Sequence, residues 1–138
     1  LEKVASGGEM SRIMLAMKAM FAKGDAIETL IFDEIDTGIS GRIASVVGEK
    51  MVRIARDHQV LCVTHLPQIA AMADAHYLVE KSETDGHART SLRALTLQER
   101  YVQVAAMMSG AGQSAAALEH AKELVDSCAA AKAEGKIG

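Results

Sequence analysis

The sequence predicts an α/β fold: parallel strands flanked by helices, followed by a β-hairpin and two more helices. Two short runs, 29–33 and 60–64, carry apolar residues on both faces, which is typical of parallel strands buried in a sheet. Apolar residues at helical spacing precede and separate these runs. A polar turn around Asp85-Gly86 then joins two further strand-like runs.

Composition fits a single domain. The chain has 138 residues, of which 49% are hydrophobic, enough for one core. With 15 basic and 18 acidic residues, its net charge of −3 predicts no electrostatic hold on nucleic acid by this chain alone. Cys62 and Cys128 lack metal or redox spacing, which suits a reducing cytoplasm. No apolar run reaches membrane-spanning length and no signal peptide opens the chain, so we expect no membrane partner.

The first predicted helix begins at Ser6, because Ser6 and Glu9 match an S-x-x-E capping box. Gly24 is a natural stop for this helix. Its apolar residues recur at spacings of three, four and seven, which predicts one core-facing side. They are Met10, Ile13, Met14, Met17, Met20 and Phe21. We expect these side chains to fill the core.

Gly38 and Gly41 bracket the turn from the first strand into a second helix, which is predicted to end near His58. The second strand, 60–64, is followed by a short helix that Pro67 opens at its first turn. The apolar side of the second helix comprises Ile43, Val46, Val47, Met51 and Ile54.

The hairpin strands are predicted at His76–Lys81 and Arg89–Leu95. Thr96 and Glu99 form a second capping box, for a helix that ends at Met108. The remaining boundaries are the helix-breaking Gly110 and Gly112, a final helix from Ala115 to Lys132, and a frayed tail from Ala133 to Gly138.

Two glycines stand at the start of the first helix, in the run Ser6-Gly7-Gly8-Glu9. Simple capping by the serine is one interpretation, worth about 1 kcal/mol. It leaves the glycines unexplained, because each costs up to about 1 kcal/mol relative to alanine in a helix. Glycines there also let the N–H groups of a helix N-terminus approach an anion closely. Phosphate contact is therefore the second interpretation.

Three polar side chains follow the two predicted parallel strands. Asp33 and Glu34 end the first strand, and His65 ends the second. The carboxyl ends of parallel strands share one edge, where open α/β sheets bind ligands. One carboxylate can hold a hydrated Mg²⁺ while the other polarises an attacking water, and the imidazole can contact a phosphate. Taken singly, each is also explained as a solvated strand end.

Together these motifs resemble the RecN family of bacterial DNA-repair proteins, which are SMC-like members of the ABC-type ATPases. The resemblance extends over about residues 1–125, and the run Asp33–Gly41 is its most specific part. Three further runs share it: Lys3–Arg12, Thr64–Ala70 and Met107–Gly110. No phosphate-binding G-x-x-x-x-G-K-[S/T] loop occurs in the 138 residues.

The resemblance implies that residues 1–138 are the C-terminal half of a split ABC-type P-loop ATPase head. The Walker A half would lie beyond a long coiled coil, and two heads would sandwich two ATP molecules. Asp33 would hold Mg²⁺, Glu34 would be the general base, and His65 would contact the γ-phosphate. The signature residues Ser6, Gly7, Gly8 and Glu9 would face the ATP of the opposite head. The broader ABC pattern has aspartate where this chain has Ser40, which the resemblance also implies to be a nucleotide-binding position across the dimer.

The implied partners are the N-terminal half of the head, a second head in a homodimer, and DNA through the complete protein. The implied location is the cytoplasm, in association with the nucleoid. Two alternatives remain at the level of sequence. The chain could belong to another SMC-like or ABC transporter ATPase, or to a clamp that uses ATP only to dimerise and does not hydrolyse it.

Overall fold

A computed structural model describes residues 7–21, 27–84, 87–110 and 114–137. The fold class predicted from the sequence is confirmed, since a parallel strand pair, an antiparallel hairpin and helices are all present. In chain order the elements are α1 (Gly7–Phe21), β1 (Thr29–Phe32), α2 (Gly41–Ile54), β2 (Gln59–Cys62), α3 (Pro67–Ala71), β3 (Tyr77–Thr84), β4 (His87–Ala94), α4 (Leu97–Ser109) and α5 (Ala115–Ala133).

The parallel pair β1–β2 positions the polar residues predicted at the strand ends. The strands pair in register from Thr29 opposite Gln59 to Phe32 opposite Cys62. One further ladder bond, from Val63 N–H to the Phe32 carbonyl (2.9 Å), extends the pairing past the end of β2. The carboxyl ends of both strands therefore lie side by side, as the sequence predicts.

The apolar runs predict that both faces of the two strands are buried, and this prediction is wrong for the described residues. Leu30 and Phe32 are buried in one core cluster with residues of α1 and α2. On the opposite face Ile31 is 67% exposed, and Leu61 and Val63 are exposed as well. The reason is topological: α1 and α2 contribute to the same core, and no described element covers the other face.

The prediction that the methionine side of α1 faces the core is also wrong. Met10, Ile13, Met14 and Met17 are each about half exposed. The helix instead buries Leu15 together with the side that carries Gly8. Polar contacts to the loop after β1 fix this orientation, as described below. The side chains of Met20 and Phe21, and the predicted stop at Gly24, fall outside the described residues.

Both parallel strands end earlier than predicted, and so does α2. β1 ends at Phe32, β2 ends at Cys62, and α2 ends at Ile54 before a turn that reaches His58. At β1 the reason is local, because Glu34 adopts a left-handed φ of 56° and cannot continue a strand.

The caps of the last two helices are partly as predicted. The Thr96–Glu99 capping box is confirmed, with Thr96 N–H donating to Glu99 Oε2 (2.8 Å) and Glu99 N–H donating to Thr96 Oγ1 (3.3 Å). Gly110 ends α4 with a φ of 66°. The cap of α5 is a further feature that was not predicted: the Ser114 hydroxyl accepts from Ala117 N–H (3.1 Å).

The prediction that the tail from Ala133 to Gly138 is frayed is wrong for the part that the structure describes, which reaches residue 137. Gly135 has a φ of 68°, and its N–H donates to the Lys132 carbonyl (3.1 Å). Lys136 N–H reaches the Ala131 carbonyl (2.9 Å). These two bonds around a left-handed glycine form a Schellman cap, so the chain is ordered past the end of α5.

Two core clusters lie on either side of α3. Ile69 belongs to the cluster beneath the parallel strands, whereas Ala70, Ala71 and Met72 belong to the cluster formed with α4 and α5. Among the described residues, no helix combines the length and apolarity needed to cross a membrane.

Candidate functional site

The segment 33–37, here called the carboxylate loop, begins where β1 ends. Asp33 accepts a hydrogen bond from Glu34 N–H through Oδ1 (2.9 Å), and Thr37 N–H closes a turn on the Glu34 carbonyl (3.1 Å). The left-handed backbone of Glu34 costs about 1–2 kcal/mol for a residue with a side chain. Such strain persists only where surrounding contacts fix it, and it concentrates at functional sites.

Helix α1 supplies these contacts. Ser11 donates its hydroxyl to the Asp33 carbonyl (3.0 Å). Arg12 reaches over the loop, and its Nη1 donates to the carbonyls of Ile35 (3.1 Å) and Thr37 (2.8 Å). The first turn of α1 and the carboxylate loop are thereby held as one unit, although more than twenty residues of sequence separate them.

Gly8 is required for this packing. A Cβ at Gly8 would lie 2.7 Å from the Glu34 carbonyl oxygen and 2.9 Å from the Thr37 Cβ, distances that side-chain carbons do not tolerate. Gly7 is different, because a Cβ there would meet only the end of the Glu34 side chain, at 2.6 Å from Oε2. Close approach of α1 to the loop explains Gly8 without any ligand, which neither sequence interpretation foresaw.

Asp36 is the buried carboxylate of the site, with only 3% of its surface exposed. Its Oδ2 accepts hydrogen bonds from Thr64 Oγ1 (2.5 Å) and His65 N–H (2.9 Å), and lies 3.1 Å from His65 Nδ1. Burial acts to raise the pKa of Asp36, but these hydrogen bonds and the adjacent imidazole outweigh it and hold the pKa below its usual value. Asp36 is therefore ionised at neutral pH.

His65 follows β2 and projects into solvent, with its side chain 74% exposed. Its Nδ1 faces Asp36, so in the neutral ring this hydrogen bond requires the proton on Nδ1. Nε2 is then the ring nitrogen that is available to a ligand.

Asp33, Glu34 and His65 line one open depression of about 230 Å³ at the carboxyl ends of the parallel strands. The remaining wall is formed by Asp36, Thr37, Val63 and Thr64. The structure thus brings together the two carboxylates and the imidazole that the sequence places at strand ends. Their chemical roles stay predictions.

The other predicted residues lie apart from this depression or outside the description. Gly7 and Glu9 are exposed in the first turn of α1, and Ser6 falls outside the described residues. Ser40 is exposed at the N-cap position of α2, where its side chain makes no cap hydrogen bond. It does not line the depression.

The donor set fits a magnesium ion that arrives with phosphates. Among the described residues, no group of three or more His, Cys, Asp or Glu side chains could hold a metal ion. Mg²⁺ commonly binds through one or two carboxylates while phosphates and waters complete its shell. Asp33 is exposed at the depression and uses Oδ1 for the Glu34 N–H, so it can serve as one such ligand.

Both cysteines are predicted to be unreactive in the folded chain. Burial, followed by the negative charges of Asp36 and Asp33, raises the pKa of Cys62 to about 12, and burial also raises the pKa of Cys128. Because the thiolate is the nucleophile, Cys62 should react with a thiol reagent at pH 8 about 10³-fold more slowly than a free cysteine. Alkylation rates followed by mass spectrometry, with the guanidinium-unfolded chain as the control, measure this. Rapid native labelling of Cys62 would contradict it.

Comparison with known proteins gives matches over most of the chain. It is 49% identical over 126 residues to the DNA repair protein RecN of Halalkalibacterium halodurans, a match covering 91% of this chain and 22% of that protein. It is 44% identical over 135 residues to the Bacillus subtilis DNA repair protein RecN, covering 98% of this chain and 23% of that protein. No family model matches.

The chain is homologous to the C-terminal region of RecN. The resemblance drawn from the motifs is therefore confirmed. The RecN of Treponema pallidum is 46% identical over 125 residues, again covering 91% of this chain and 22% of that protein. The chain thus spans about a fifth of the length of these RecN relatives.

Two parts of the site were not found by sequence reasoning. The sequence marks Asp36 only as a member of the run Asp33–Gly41, since no periodicity identifies an aspartate that will pair with Thr64 and His65. The sequence likewise indicates no role for Arg12. Its spacing of four from Gly8 is the only sequence signal that the two share one side of α1, and the RecN resemblance does not supply their contact with the loop.

Proposed function

We propose that this chain is one half of an ATP-hydrolysing head in a RecN-type DNA repair protein. The observation that carries the proposal is the convergence of Asp33, Glu34 and His65 on one depression at the parallel strand ends. The names of the homologues support DNA repair as the process. ATP binding would join two heads, and hydrolysis would part them, changing how the complete protein holds DNA.

Each residue has a distinct role in this proposal. Asp33 would hold the hydrated Mg²⁺, and Glu34 would accept a proton from the attacking water. His65 would contact the γ-phosphate. Bound Mg²⁺ would offset the charge of the transferring phosphate. This chain would orient the water and accept its proton at the Glu34 carboxylate.

The signature residues and Ser40 belong to the proposed contact between heads. Ser6, Gly7 and Gly8, with Glu9 next to them, would meet the ATP held by the opposite head. Gly8 already packs against the carboxylate loop of its own chain. A ligand at the first turn of α1 would therefore act on the same unit that holds Glu34, which ties dimerisation to the hydrolytic site.

The exposed apolar surfaces fit a second segment packing against this half. Ile31, Leu61 and Val63 form an uncovered sheet face, and Met10, Ile13, Met14 and Met17 form an uncovered side of α1. Apolar side chains exposed together on one strand face or one helix side mark interaction sites. We assign it to the N-terminal half of the head, which would bring the phosphate-binding loop that these 138 residues lack.

We expect the 138-residue chain alone not to hydrolyse ATP and to self-associate through its uncovered apolar surface. Phosphate release in the presence of Mg²⁺ measures the first, and light scattering measures the second. Co-expression with a RecN N-terminal half should reduce the scattering and restore turnover. Robust Mg²⁺-dependent turnover by the chain alone would contradict the assignment of two halves.

The proposed function as a whole is tested by steady-state phosphate release from a complete RecN-type protein that contains this chain. Mg²⁺-dependent hydrolysis that Asp33→Asn abolishes would support it. Tight ATP binding and dimerisation without hydrolysis would instead identify the non-hydrolysing clamp. The transporter alternative finds no support in the comparisons, since the relatives are named DNA repair proteins.

A further inference from the structure

The contacts of Asp36 converge on one oxygen atom. Thr64 Oγ1, His65 N–H and His65 Nδ1 all lie within 3.1 Å of Asp36 Oδ2. The Thr64 hydroxyl also accepts from Leu66 N–H (3.1 Å). The segment after β2 is thus tied to a buried carboxylate by its backbone and by two consecutive side chains.

Asp36 is itself held from both sides. Arg12 binds the carbonyls of Ile35 and Thr37, the two neighbours of Asp36 in the chain. Ile35 is completely buried in the core beneath the parallel strands. The carboxylate therefore has a fixed position, and the exposed imidazole takes its orientation from it.

We propose that Asp36 is the positioning residue for His65, fixing the imidazole through Nδ1 so that Nε2 is presented to the ligand in the depression. A carboxylate in this place sets both the ring orientation and the tautomer of a histidine. Thr64 assists, because its hydroxyl helps to hold the same carboxylate oxygen. The inference rests on the proposed function, in which His65 contacts the γ-phosphate.

A purely structural role for Asp36 makes a different prediction. If Asp36 only joined the carboxylate loop to the segment after β2, its loss would disturb Glu34 and Asp33 as much as His65. Removal of His65 would then leave the effect of an Asp36 substitution intact. A double-mutant cycle separates the two roles.

The cycle uses a complete RecN-type protein that contains this chain, with Asp36→Asn, His65→Ala and the double variant. Asparagine keeps the size of Asp36 and removes its charge. We expect Asp36→Asn to lower kcat for ATP hydrolysis about 10-fold, while KM changes less than about twofold. Loss of a carboxylate that orients a metal-binding histidine typically costs about 10–100-fold, and we expect a similar effect here. In the His65→Ala background, Asp36→Asn should have no further effect on kcat.

Two results would overturn the inference, and they differ in their consequence for the role of His65 in the proposed function. Equal losses of kcat from Asp36→Asn with and without His65 would show that Asp36 acts on the loop, leaving the proposed function standing. A His65→Ala variant with unchanged kcat would remove His65 from the reaction and the inference with it.

Thr64 provides a second, independent variant should Asp36→Asn fail to fold. Thr64→Val removes the hydroxyl, whereas Thr64→Ser keeps it and serves as the matched control. We expect the valine variant to lower kcat and the serine variant not to, and the loss should again vanish in the His65→Ala background. Equal behaviour of valine and serine would contradict the assisting role of the hydroxyl and, with a folded protein, the positioning of His65 through Asp36.

Discussion

Replacing Glu34 with glutamine in a complete RecN-type protein that contains this chain is expected to slow ATP hydrolysis by about 10²–10⁴-fold. Glutamine keeps the length and hydrogen-bonding capacity of the side chain but cannot accept the proton of the attacking water. ATP should still bind, because Asp33, His65 and the first turn of α1 are unchanged. Dimers should persist, because hydrolysis is the step that parts the heads in the proposed cycle.

The surroundings of Glu34 indicate that this substitution should affect hydrolysis without affecting folding. Glu34 is exposed at the depression, and the end of its side chain lies close to Gly7 in the first turn of α1. Its left-handed backbone is equally strained with either side chain, so folding stability should be little changed.

Steady-state phosphate release and ATP-dependent dimerisation by light scattering are the measurements. Glu83→Gln, the same chemical change on exposed β3, is the matched control and should hydrolyse ATP normally. Near-normal hydrolysis by the Glu34 variant would remove it from the role of base.

The position of the site could be predicted from the sequence, but its internal contacts could not. Parallel strands put their carboxyl ends at one edge, and this rule is enough to bring Asp33 and Glu34 near His65. The burial of Asp36 follows instead from Thr64 and His65, which are nearly thirty residues away in sequence. No local pattern encodes that pairing.

Helix α1 illustrates the limit of periodicity. Its methionines have the spacing of a buried side, yet Leu15 and Gly8 are buried and the methionines are exposed. The hydrogen bonds of Ser11 and Arg12 to the carboxylate loop select the side that faces inward. Apolar spacing predicted the core-facing side of this helix wrongly, because the methionine side has no partner among the described residues.

Alanine substitutions at Gly7 and Gly8 in the same complete protein are expected to differ in their effects on stability. If the two glycines merely begin a helix, alanine at either should stabilise it by up to about 1 kcal/mol. At Gly8, however, the new Cβ would meet the Glu34 carbonyl and the Thr37 side chain within 3 Å. We therefore expect Gly8→Ala to lower the free energy of unfolding by about 1–3 kcal/mol, the usual cost of overpacking.

Gly7→Ala is the matched control, because its Cβ would meet only the Glu34 carboxylate, which can swing away. Its stability should be unchanged or slightly higher, while hydrolysis should slow because the proposed base is displaced. Simple capping would favour an aspartate at Gly8 by about 0.3–1 kcal/mol. We expect Gly8→Asp to lower the free energy of unfolding instead, because its Cβ meets the same atoms as that of alanine. Thermal unfolding and phosphate release measure the two effects separately. Similar gains in stability from both alanines would contradict the close packing of α1 on the carboxylate loop, and with it the coupling of the signature residues to Glu34.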